Sequence, residues 1–338
     1  MSYWRPIPMT DPARPAAALP LAGGWCWFDR VEHLQRGKPP EILPAAALPP
    51  DVAARLTAPR TPLAGLALDR PVVMGILNTT PDSFSDGGRF AAPGAALAHA
   101  RAMAAAGADM LDIGGESTRP GAPPVPEDEE TARTAPLIAA LRAGGLRLPV
   151  SIDTRKAAVG RAALAAGADM LNDVSALSHD PGMGRLAAES GTPICLMHAQ
   201  GTPETMQDDP RYDDVLLDVY DMLAARVAQA EAAGIPRARI VVDPGIGFGK
   251  TVAHNLALIR RLSLYHALGC PVLLGTSRKR FIGTVAGVAD PPARVPGSIA
   301  TALAGVAQGA QILRVHDVAE TRQALALWQA VNEGDTGA

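Results

Sequence analysis

Aromatic side chains are scarce in this chain of 338 residues: they make up 4% of it, whereas hydrophobic residues make up 48%. A sizeable core must therefore be built from Ala, Leu, Val and Ile. Cysteine is also rare, since only Cys26, Cys195 and Cys270 occur, far apart and without a Cys-x-x-Cys motif or a Cys/His pair at zinc spacing. This argues against a disulfide framework and against a structural zinc site.

The sequence also lacks long apolar runs and a strong charge of either sign. No stretch reaches 18 uninterrupted apolar residues, and the start of the chain has no apolar segment of signal-peptide length. The net charge is −3 and no basic run stands out, which argues against a nucleic acid or an acidic membrane as the main partner. We therefore expect a cytoplasmic protein with no nucleic-acid partner and no membrane partner.

The first part of the chain differs from the rest in composition. Residues 1–70 are rich in Pro and Ala, and aromatic residues cluster at 23–30. We interpret 1–70 as an N-terminal extension that is partly ordered, contains a small strand pair and packs against the main domain. The main domain is predicted at 71–332 and a C-terminal tail at 333–338.

From Val72 onward one unit repeats, namely a short apolar strand, a polar loop and an Ala-rich helical segment. The segment AAGADMLD at 105–112 returns as AAGADMLN at 165–172, and each joins the end of a helix to the next strand. Eight such units predict a (β/α)8 TIM barrel, whereas the alternative, an open doubly wound sheet, more often has about five or six strands. The predicted strands are 72–77, 110–114, 149–153, 170–174, 193–198, 239–243, 271–277 and 311–317. The predicted helices are 94–107, 128–144, 155–167, 211–234, 254–269 and two more that follow Arg294 and Asp317.

A long polar loop follows the first predicted strand, from Asn78 to Phe90. An ordinary connection from a strand to a helix has about 2–6 residues. Ligands of α/β proteins bind at the carboxyl ends of the strands. We therefore interpret this loop as part of a binding site rather than as an ordinary turn.

Polar or charged side chains stand at the carboxyl end of every predicted strand, where a barrel has its active site. One group of these side chains could hydrogen-bond to the edge of a flat, buried heterocycle. Carboxylates accept hydrogen bonds from an amino-amidine edge, and Asn offers both a donor and an acceptor. Met197 and Phe248 could pack on the faces of such a ring. The edge-reading residues are Asp153, Asn172, Asp243 and Lys279.

A second group, Asn78, Thr118, Arg314 and His316, suits an anion such as diphosphate. Arg314 and His316 are two residues apart, which places both side chains on one face of a strand. Asn78 would supply an oxygen ligand to Mg²⁺, which takes one or two protein ligands together with phosphate oxygens. The sequence therefore predicts an anion and magnesium site beside the heterocycle pocket.

Two further features, a glycine-rich stretch and the histidines, come into question as ligand sites. The stretch DPGIGFGKT at 243–251 ends like a phosphate-binding P-loop, but Pro244 stands where that motif requires its first Gly, so we do not expect a nucleoside triphosphate site. The sequence does not decide whether His198 binds a ligand or belongs to the core. The histidines that we interpret as structural or on the surface are His33, His99, His179, His254 and His266.

Eight motifs, in order and at suitable spacing, resemble the dihydropteroate synthases over roughly residues 71–330. They are MGILNTTPDSFSDGGRF, DIGGESTRPGA, SIDTRK, LNDVSAL, CLMHAQGTPETMQ, VVDPGIGFGK, GTSRKRFIG and ILRVHDVAET. The resemblance implies a homodimeric transferase of folate biosynthesis with Mg²⁺ as cofactor. Its reaction would condense 6-hydroxymethyl-7,8-dihydropterin diphosphate with p-aminobenzoate to give 7,8-dihydropteroate and diphosphate.

The resemblance also implies a role for individual residues. The catalytic set would be Asp153, Lys279, Asn78, Thr118 and Arg119. The pterin pocket would be Asp153, Asn172, Met197, Asp243, Phe248, Gly275 and Lys279. The diphosphate site would be Asn78, Thr118, Arg119, Arg314 and His316, with Asn78 on the metal. The p-aminobenzoate site would be Phe84, Pro120, Lys279 and Arg280, formed when the loops 78–90 and 115–123 close.

The sequence departs from the family pattern at two positions, and two other functions are possible for such a barrel. Arg280 stands where some relatives carry Ser, so that Arg280 or a backbone amide would hold the aminobenzoate carboxylate. A pterin-binding or folate-binding methyltransferase barrel would share the pterin pocket, but it has no use for diphosphate and hence none for the pair Arg314 and His316. A non-catalytic pterin-binding homologue is the second alternative, although no expected catalytic position is missing from the sequence. Position 199 is Ala, where some relatives have a larger residue.

Overall fold

The computed structural model describes residues 2–79, 88–117, 122–201 and 205–333, with the side chains of these residues apart from 88–93 and 333. The strands within them are β1 (Tyr3–Pro6), β2 (Leu19–Pro20), β3 (Trp27–Phe28), β4 (Arg30–Leu34), β5 (Glu41–Pro44), β6 (Val72–Asn78), β7 (Met110–Gly114), β8 (Val150–Asp153), β9 (Met170–Asp173), β10 (Ile194–Met197), β11 (Ile240–Asp243), β12 (Leu273–Leu274) and β13 (Ile312–Val315). The α-helices are α1 (Pro50–Thr57), α2 (Gly88–Ala105), α3 (Glu127–Ala143), α4 (Ala157–Ala165), α5 (Gly182–Ser190), α6 (Val215–Ala232), α7 (Val252–Arg260), α8 (Arg280–Ala286), α9 (Val295–Val306) and α10 (Val318–Glu333).

The eight strands β6 to β13 form one parallel sheet in the order β11-β10-β9-β8-β7-β6-β13-β12. The two ends of this order meet, because Val242 of β11 forms a parallel bridge with Val272, next to β12. The sheet therefore closes into a ring, and helices connect its successive strands. This confirms the predicted TIM barrel over the open doubly wound sheet.

Each predicted barrel strand is present, and the differences lie mainly in the boundaries. The largest concerns β12, which has two residues instead of the predicted seven at 271–277. The chain leaves the sheet there and turns, and Arg278 adopts φ +58°, a value that an extended strand does not allow. The sequence prediction also missed α5 and α8, which have nine and seven residues.

Side chains alternate along the barrel strands between the surrounding helices and the barrel interior. The inward side chains nearest the amino ends are apolar on seven of the eight strands, whereas the first inward residue of β8 is the buried Ser151. Leu63 and Leu68, which precede β6, complete this layer, which we call the barrel floor. The floor consists of Leu63, Leu68, Val72, Met74, Met110, Met170, Cys195, Val241, Leu273 and Ile312.

On four of these strands the next inward position, two residues further along, is polar. Asp112 follows Met110, Asn172 follows Met170, Asp243 follows Val241 and Arg314 follows Ile312. This second layer lies toward the carboxyl ends of the strands and rests on the dry floor. The fold thereby gathers charged side chains from distant parts of the sequence inside one ring.

The residues that precede the barrel form two small antiparallel sheets, β1-β4-β5 and β2-β3, and helix α1. They pack on the barrel through a cluster that includes the fully buried Phe28 and Leu56. The Trp25 indole N–H donates to the Val306 carbonyl at 2.9 Å, and Arg5 Nη1 donates to Ser263 Oγ at 3.2 Å. The division of the chain at residue 70 stays a prediction.

A search of the described residues finds no helix with the length and apolar character needed to cross a membrane.

Candidate active site

An ion-pair network occupies the centre of the polar layer. Arg314 donates from Nη2 to Asp153 Oδ2 at 2.7 Å and from Nε to Asp112 Oδ2 at 2.6 Å. Burial raises the pKa of Asp153 to about 7; the Arg314 guanidinium opposes this rise and the Asp112 carboxylate adds to it. Among the described residues, no group donates to the buried Oδ1 of Asp153. Asp153 therefore keeps one acceptor oxygen for a ligand.

Asn172 joins the same network from the neighbouring strand β9. Its Nδ2 donates to Asp112 Oδ2 at 3.1 Å, and the side chain is buried. No hydrogen bond from the described part of the chain engages its Oδ1, which is left as an acceptor. The predicted pocket residues Asp153 and Asn172 thus come together around a residue that was not predicted, Asp112.

Asp243 and Lys279 form the opposite side of the polar layer. Burial raises the pKa of Asp243, and the charge of Lys279 opposes this rise. Burial lowers the pKa of Lys279 to about 8, and the charge of Asp243 opposes this fall. The Lys279 ammonium lies 4.7 Å from the centre of the Phe248 ring and donates to the Ile246 carbonyl. A cation, a carboxylate and an aromatic face therefore meet here.

Gly275 and Met197 complete the predicted pterin pocket. A Cβ atom on Gly275 would lie 3.8 Å from Arg314 Cβ and 4.0 Å from Lys279 Nζ, so this glycine stands between the two cations. Met197 ends β10 and is buried. The loop after β11 packs against it, since a Cβ atom on Gly245 would lie 3.2 Å from Met197 Cγ.

The loop after β11 can approach β10 only because it has a glycine at its second position. Gly245 has φ +66°, and a Cβ atom there would lie 1.8 Å from the His198 carbonyl oxygen. Buried Lys250 ties the two segments together, because its ammonium lies 2.9 Å from His198 Nδ1 and donates to the Phe248 carbonyl at 2.9 Å. Burial and the Lys250 charge lower the pKa of His198 to about 2. His198 therefore has a core role, and the P-loop-like stretch shapes the pocket.

The anion and metal site was predicted around Asn78, Arg314 and His316. The His316 backbone N–H donates to Ser277 Oγ at 3.1 Å, and its Nδ1 lies 2.9 Å from the same oxygen. Asn78 ends β6 beside Gly114, where an added Cβ atom would lie 3.8 Å from Asn78 Oδ1 and 3.4 Å from Asp153 Cβ. The Asn78 amide oxygen therefore lies near the Asp153 carboxylate, at the mouth of the barrel.

The residues at this mouth fit an ion that takes few protein ligands. Within the described ranges, no group of three or more His, Cys, Asp or Glu side chains could hold a metal ion. Asn78 Oδ1 is a hard oxygen ligand to which no described residue donates a hydrogen bond. Mg²⁺ normally takes one or two protein oxygens and completes its shell with phosphate oxygens and water, so Asn78 suits it.

For some predicted site residues, the described ranges show no polar contact with the site residues named above. Arg280 is the first residue of α8 and is exposed, and no hydrogen bond or ion pair links it to another described site residue. Its contact with p-aminobenzoate stays a prediction. Four predicted site residues, and the central parts of the loops 78–90 and 115–123, lie outside the described residues. These four are Phe84, Thr118, Arg119 and Pro120.

A buried charge cluster adjoins the segment that follows β7. The Lys156 ammonium lies 2.5 Å from Glu130 Oε2 and 3.3 Å from Glu116 Oε2, and it donates to the Val125 carbonyl at 2.7 Å. Arg155 contacts Glu116 Oε2 at 2.9 Å, and Val125 donates its backbone N–H to Glu116 Oε1 at 3.0 Å. The cluster thus ties residues on both sides of 118–121 to the barrel.

The sequence analysis missed Asp112, Lys250 and Ser277, each of which contacts a predicted site residue. The available signal for Asp112 was its place two residues before the end of β7, on the same face as Gly114. The signal for Lys250 was a lone lysine in an otherwise apolar and glycine-rich stretch. The signal for Ser277 was its place as the last residue of the predicted strand 271–277.

Comparison with known proteins gives a consistent picture. Residues 74–316 match the family described as pterin binding enzyme. The dihydropteroate synthase of Neisseria meningitidis serogroup B is 50% identical over 271 residues, which are 79% of this chain and 94% of that protein. The dihydropteroate synthase of Escherichia coli K12 is 46% identical over 265 residues, which are 78% of this chain and 93% of that protein.

Solved structures of dihydropteroate synthases resemble this fold closely. The Xanthomonas albilineans enzyme with 4-aminobenzoic acid has a TM-score of 0.76 and 52% identity, covering 81% of this chain and 98% of that one. The same enzyme in complex with 7,8-dihydropteroate has a TM-score of 0.74 and 49% identity, with the same shares covered. The chain therefore belongs to the dihydropteroate synthase family of pterin-binding barrels.

Proposed function

We propose that this protein condenses 6-hydroxymethyl-7,8-dihydropterin diphosphate with p-aminobenzoate, forming 7,8-dihydropteroate and diphosphate for folate biosynthesis. The observation that carries the proposal is the polar layer. In it, side chains that can hydrogen-bond to a flat heterocycle lie beside cations that can bind an anionic leaving group. Asp153, Asn172 and Asp243 offer acceptors, and Lys279 offers a donor. The relatives named as dihydropteroate synthases support the same reaction.

The pocket and the pterin ring are complementary in hydrogen bonding. A 7,8-dihydropterin presents donors at its 2-amino group, at N3 and at N8, and acceptors at its 4-oxo group, N1 and N5. Asp153 Oδ1, Asn172 Oδ1 and the Asp243 carboxylate can accept from the donors, and the Lys279 ammonium can donate to an acceptor. Phe248 and Met197 would pack on the ring faces.

The chemical step needs no covalent bond to the protein. The bond between the pterin methylene carbon and the diphosphate oxygen breaks, and its electron pair leaves with diphosphate. The cation that remains is delocalised into the dihydropterin ring, where the Asp153 carboxylate stabilises it. The amine of p-aminobenzoate then bonds to the methylene carbon and releases one proton. Arg314 and His316 would bind the departing diphosphate through charge and hydrogen bonds.

Magnesium is part of this proposal. Asn78 would hold the ion together with diphosphate oxygens, and the bound ion would neutralise charge on the leaving group. The protein residues Arg314 and His316 act on the same anion from the side of β13. The metal and these two residues would therefore share the stabilisation of diphosphate.

The test is to mix the purified protein with 6-hydroxymethyl-7,8-dihydropterin diphosphate, p-aminobenzoate and Mg²⁺ and to measure diphosphate and dihydropteroate. We expect stoichiometric formation of both, and a loss of activity with excess EDTA that added Mg²⁺ restores. No diphosphate above background would refute the synthase function. Pterin binding without release would instead support the non-catalytic homologue. Methyl transfer from a methylated folate would support the methyltransferase barrel.

We also propose a homodimer in the cytoplasm. The family resemblance supports the dimer, and light scattering after size-exclusion chromatography tests it, since a monomer mass would contradict it. Cys26, Cys195 and Cys270 are all unpaired thiols, as is usual in reducing compartments. Fractionation of cells that produce the protein would test the location.

A further inference from the structure

We infer that Asp112 is a positioning residue that makes the pocket prefer the reduced dihydropterin ring over the oxidised pterin ring, by fixing the orientation of the Asn172 amide. This inference rests on the proposed function, and it assigns a residue that touches no reacting atom. Asp112 lies inside the barrel on β7 and is fully buried. Its influence on a ligand would pass through the side chains that it holds.

The contacts of Asp112 determine which way the Asn172 amide points. Asp112 Oδ2 accepts from Asn172 Nδ2 at 3.1 Å and from Arg314 Nε at 2.6 Å. A carboxylate accepts hydrogen bonds and cannot donate them, so the Asn172 carbonyl would be repelled if it faced Asp112. The NH₂ group must therefore face Asp112, and the carbonyl oxygen must face away, into the pocket.

The fixed amide turns the Asn172 carbonyl oxygen toward the pocket, where it can accept from a ring N–H group but would face the lone pair of a ring nitrogen that carries no hydrogen. Asp153 Oδ1 and the Asp243 carboxylate are acceptors as well. Three acceptors match a ring with donors at three positions, as in a 7,8-dihydropterin. In the oxidised pterin N8 has no hydrogen, so one acceptor of the pocket would face a lone pair.

Arg314 makes the arrangement rigid. Its guanidinium bridges Asp112 and Asp153 at 2.6 and 2.7 Å, so that one cation fixes the carboxylate behind Asn172 and a carboxylate of the pocket itself. A guanidinium has its donors in a planar fork, which restricts both partners. Asp112 therefore cannot turn away from Asn172 without losing its ion pair.

The experiment compares the binding of two probes, 6-hydroxymethyl-7,8-dihydropterin and 6-hydroxymethylpterin, by calorimetry. The wild-type protein should bind the reduced probe more tightly. Asp112→Asn replaces an obligate acceptor by a side chain that both donates and accepts, which lets the Asn172 amide rotate. We expect the ratio of the two dissociation constants to fall by about tenfold in this variant.

Asp109→Asn is the matched control. Asp109 precedes the same strand at the opposite end of the barrel, where it accepts from the Val73 backbone N–H at 2.8 Å and pairs with Arg322. This variant should keep the wild-type ratio. Equal weakening of both probes in Asp112→Asn would indicate a merely structural role and would overturn the inference. A wild-type protein that does not discriminate between the probes would overturn it as well.

A second measurement covers the possibility that Asp112→Asn does not fold. A neutron crystal structure of the wild-type protein with the reduced probe locates the amide hydrogens directly. The Asn172 NH₂ group is expected toward Asp112 and its carbonyl toward a ring N–H, and the reverse orientation would overturn the inference. Diphosphate release by the same wild-type preparation separates the two proposals: release with an unchanged ratio in Asp112→Asn refutes only this inference, whereas selective binding without release refutes only the synthase function.

Discussion

Asp153 and Lys279 both have pKa values shifted toward neutral pH, from opposite directions. Burial raises the pKa of Asp153 to about 7 and lowers that of Lys279 to about 8. The Asp153 carboxylate, which is proposed to stabilise the cation, therefore exists above about pH 7, and the Lys279 ammonium, which is proposed to bind the pterin, exists below about pH 8. Their working forms coexist mainly between these two values.

We predict a bell-shaped pH profile of kcat/KM for dihydropterin diphosphate. The rate constant should rise as pH increases to about 7, because Asp153 loses its proton, and should fall above about pH 8, because Lys279 loses its proton. Steady-state rates between pH 5.5 and 9.5 at saturating p-aminobenzoate, about two units either side of these values, would measure both limbs.

Lys279→Arg is the control for the alkaline limb. A guanidinium keeps its charge over this pH range, so the fall above about pH 8 should disappear even if the absolute rate is lower. An alkaline limb at an unchanged position would show that Lys279 is not the group responsible.

Sequence reasoning reached Asp153 but not Asp112, and the reason is physical. Asp153 ends its strand, so the change from apolar to charged residues marks it. Asp112 lies within the run MLDIG, where a single acid looks like an interruption of a buried strand. Only the closed ring places it against Asn172 and Arg314, which lie 60 and 202 residues away in the chain.

Among the secondary-structure elements, the connection from β7 to α3 depends most on buried charge. Glu130 is fully buried in the first turn of α3, and its carboxylate pairs with Lys156 at 2.5 Å. Lys156 also lies 3.3 Å from Glu116, but Glu116 keeps Arg155 as a second cationic partner. Removal of Lys156 would therefore leave the Glu130 carboxylate buried without a charged partner among the described residues.

We predict that Lys156→Met destabilises the protein by about 3–5 kcal/mol, because it leaves the Glu130 carboxylate buried and unpaired. Urea unfolding followed by circular dichroism would measure the change. Arg185→Met is the matched control, since Arg185 and Glu189 form an exposed pair with 74% and 63% of their side chains accessible, and such pairs contribute about 0–1 kcal/mol. Equal unfolding midpoints for the two variants would contradict the prediction.

The sequence could predict most elements of the barrel, but not their ends. Their length and Ala-rich composition revealed α3 and α6, with 17 and 18 residues. By contrast, β12 pairs over only two residues before Gly275, and nothing local marks this early end. It follows from the need to bring Lys279 back over the pocket, which is a tertiary requirement.

At the scale of the whole molecule, residues 2–68 form part of the packed structure. Their composition, rich in Pro and Ala, predicted only partial order. The order arises from pairing that composition does not reveal, since β1 aligns Tyr3 with Leu34 and the cluster around Phe28 covers the barrel surface at Ala267. The apolar surface that is shared with the barrel supplies the stability.

We predict that Phe28→Ala destabilises the protein by about 3–5 kcal/mol, because it leaves a cavity in this cluster. The KM values for both substrates and kcat should stay at wild-type values at a temperature where the variant is folded, since Phe28 contacts none of the site residues. Thermal unfolding and steady-state kinetics would measure the two effects, with Phe28→Leu as a milder control. A changed KM would show that the N-terminal residues influence the site.

The barrel floor has a consequence for the traffic of molecules. Its ten packed side chains, from Leu63 to Ile312, close the lower end of the ring, so a ligand can reach the polar layer only from the carboxyl ends of the strands. Substrates and products must then pass the same opening in opposite directions. A ring that binds against Asp153 and Asn172, as proposed, would have to arrive before anything that binds above it, and it could leave only after the space above is clear. The closed floor would thus set the order in which molecules reach the polar layer and leave it.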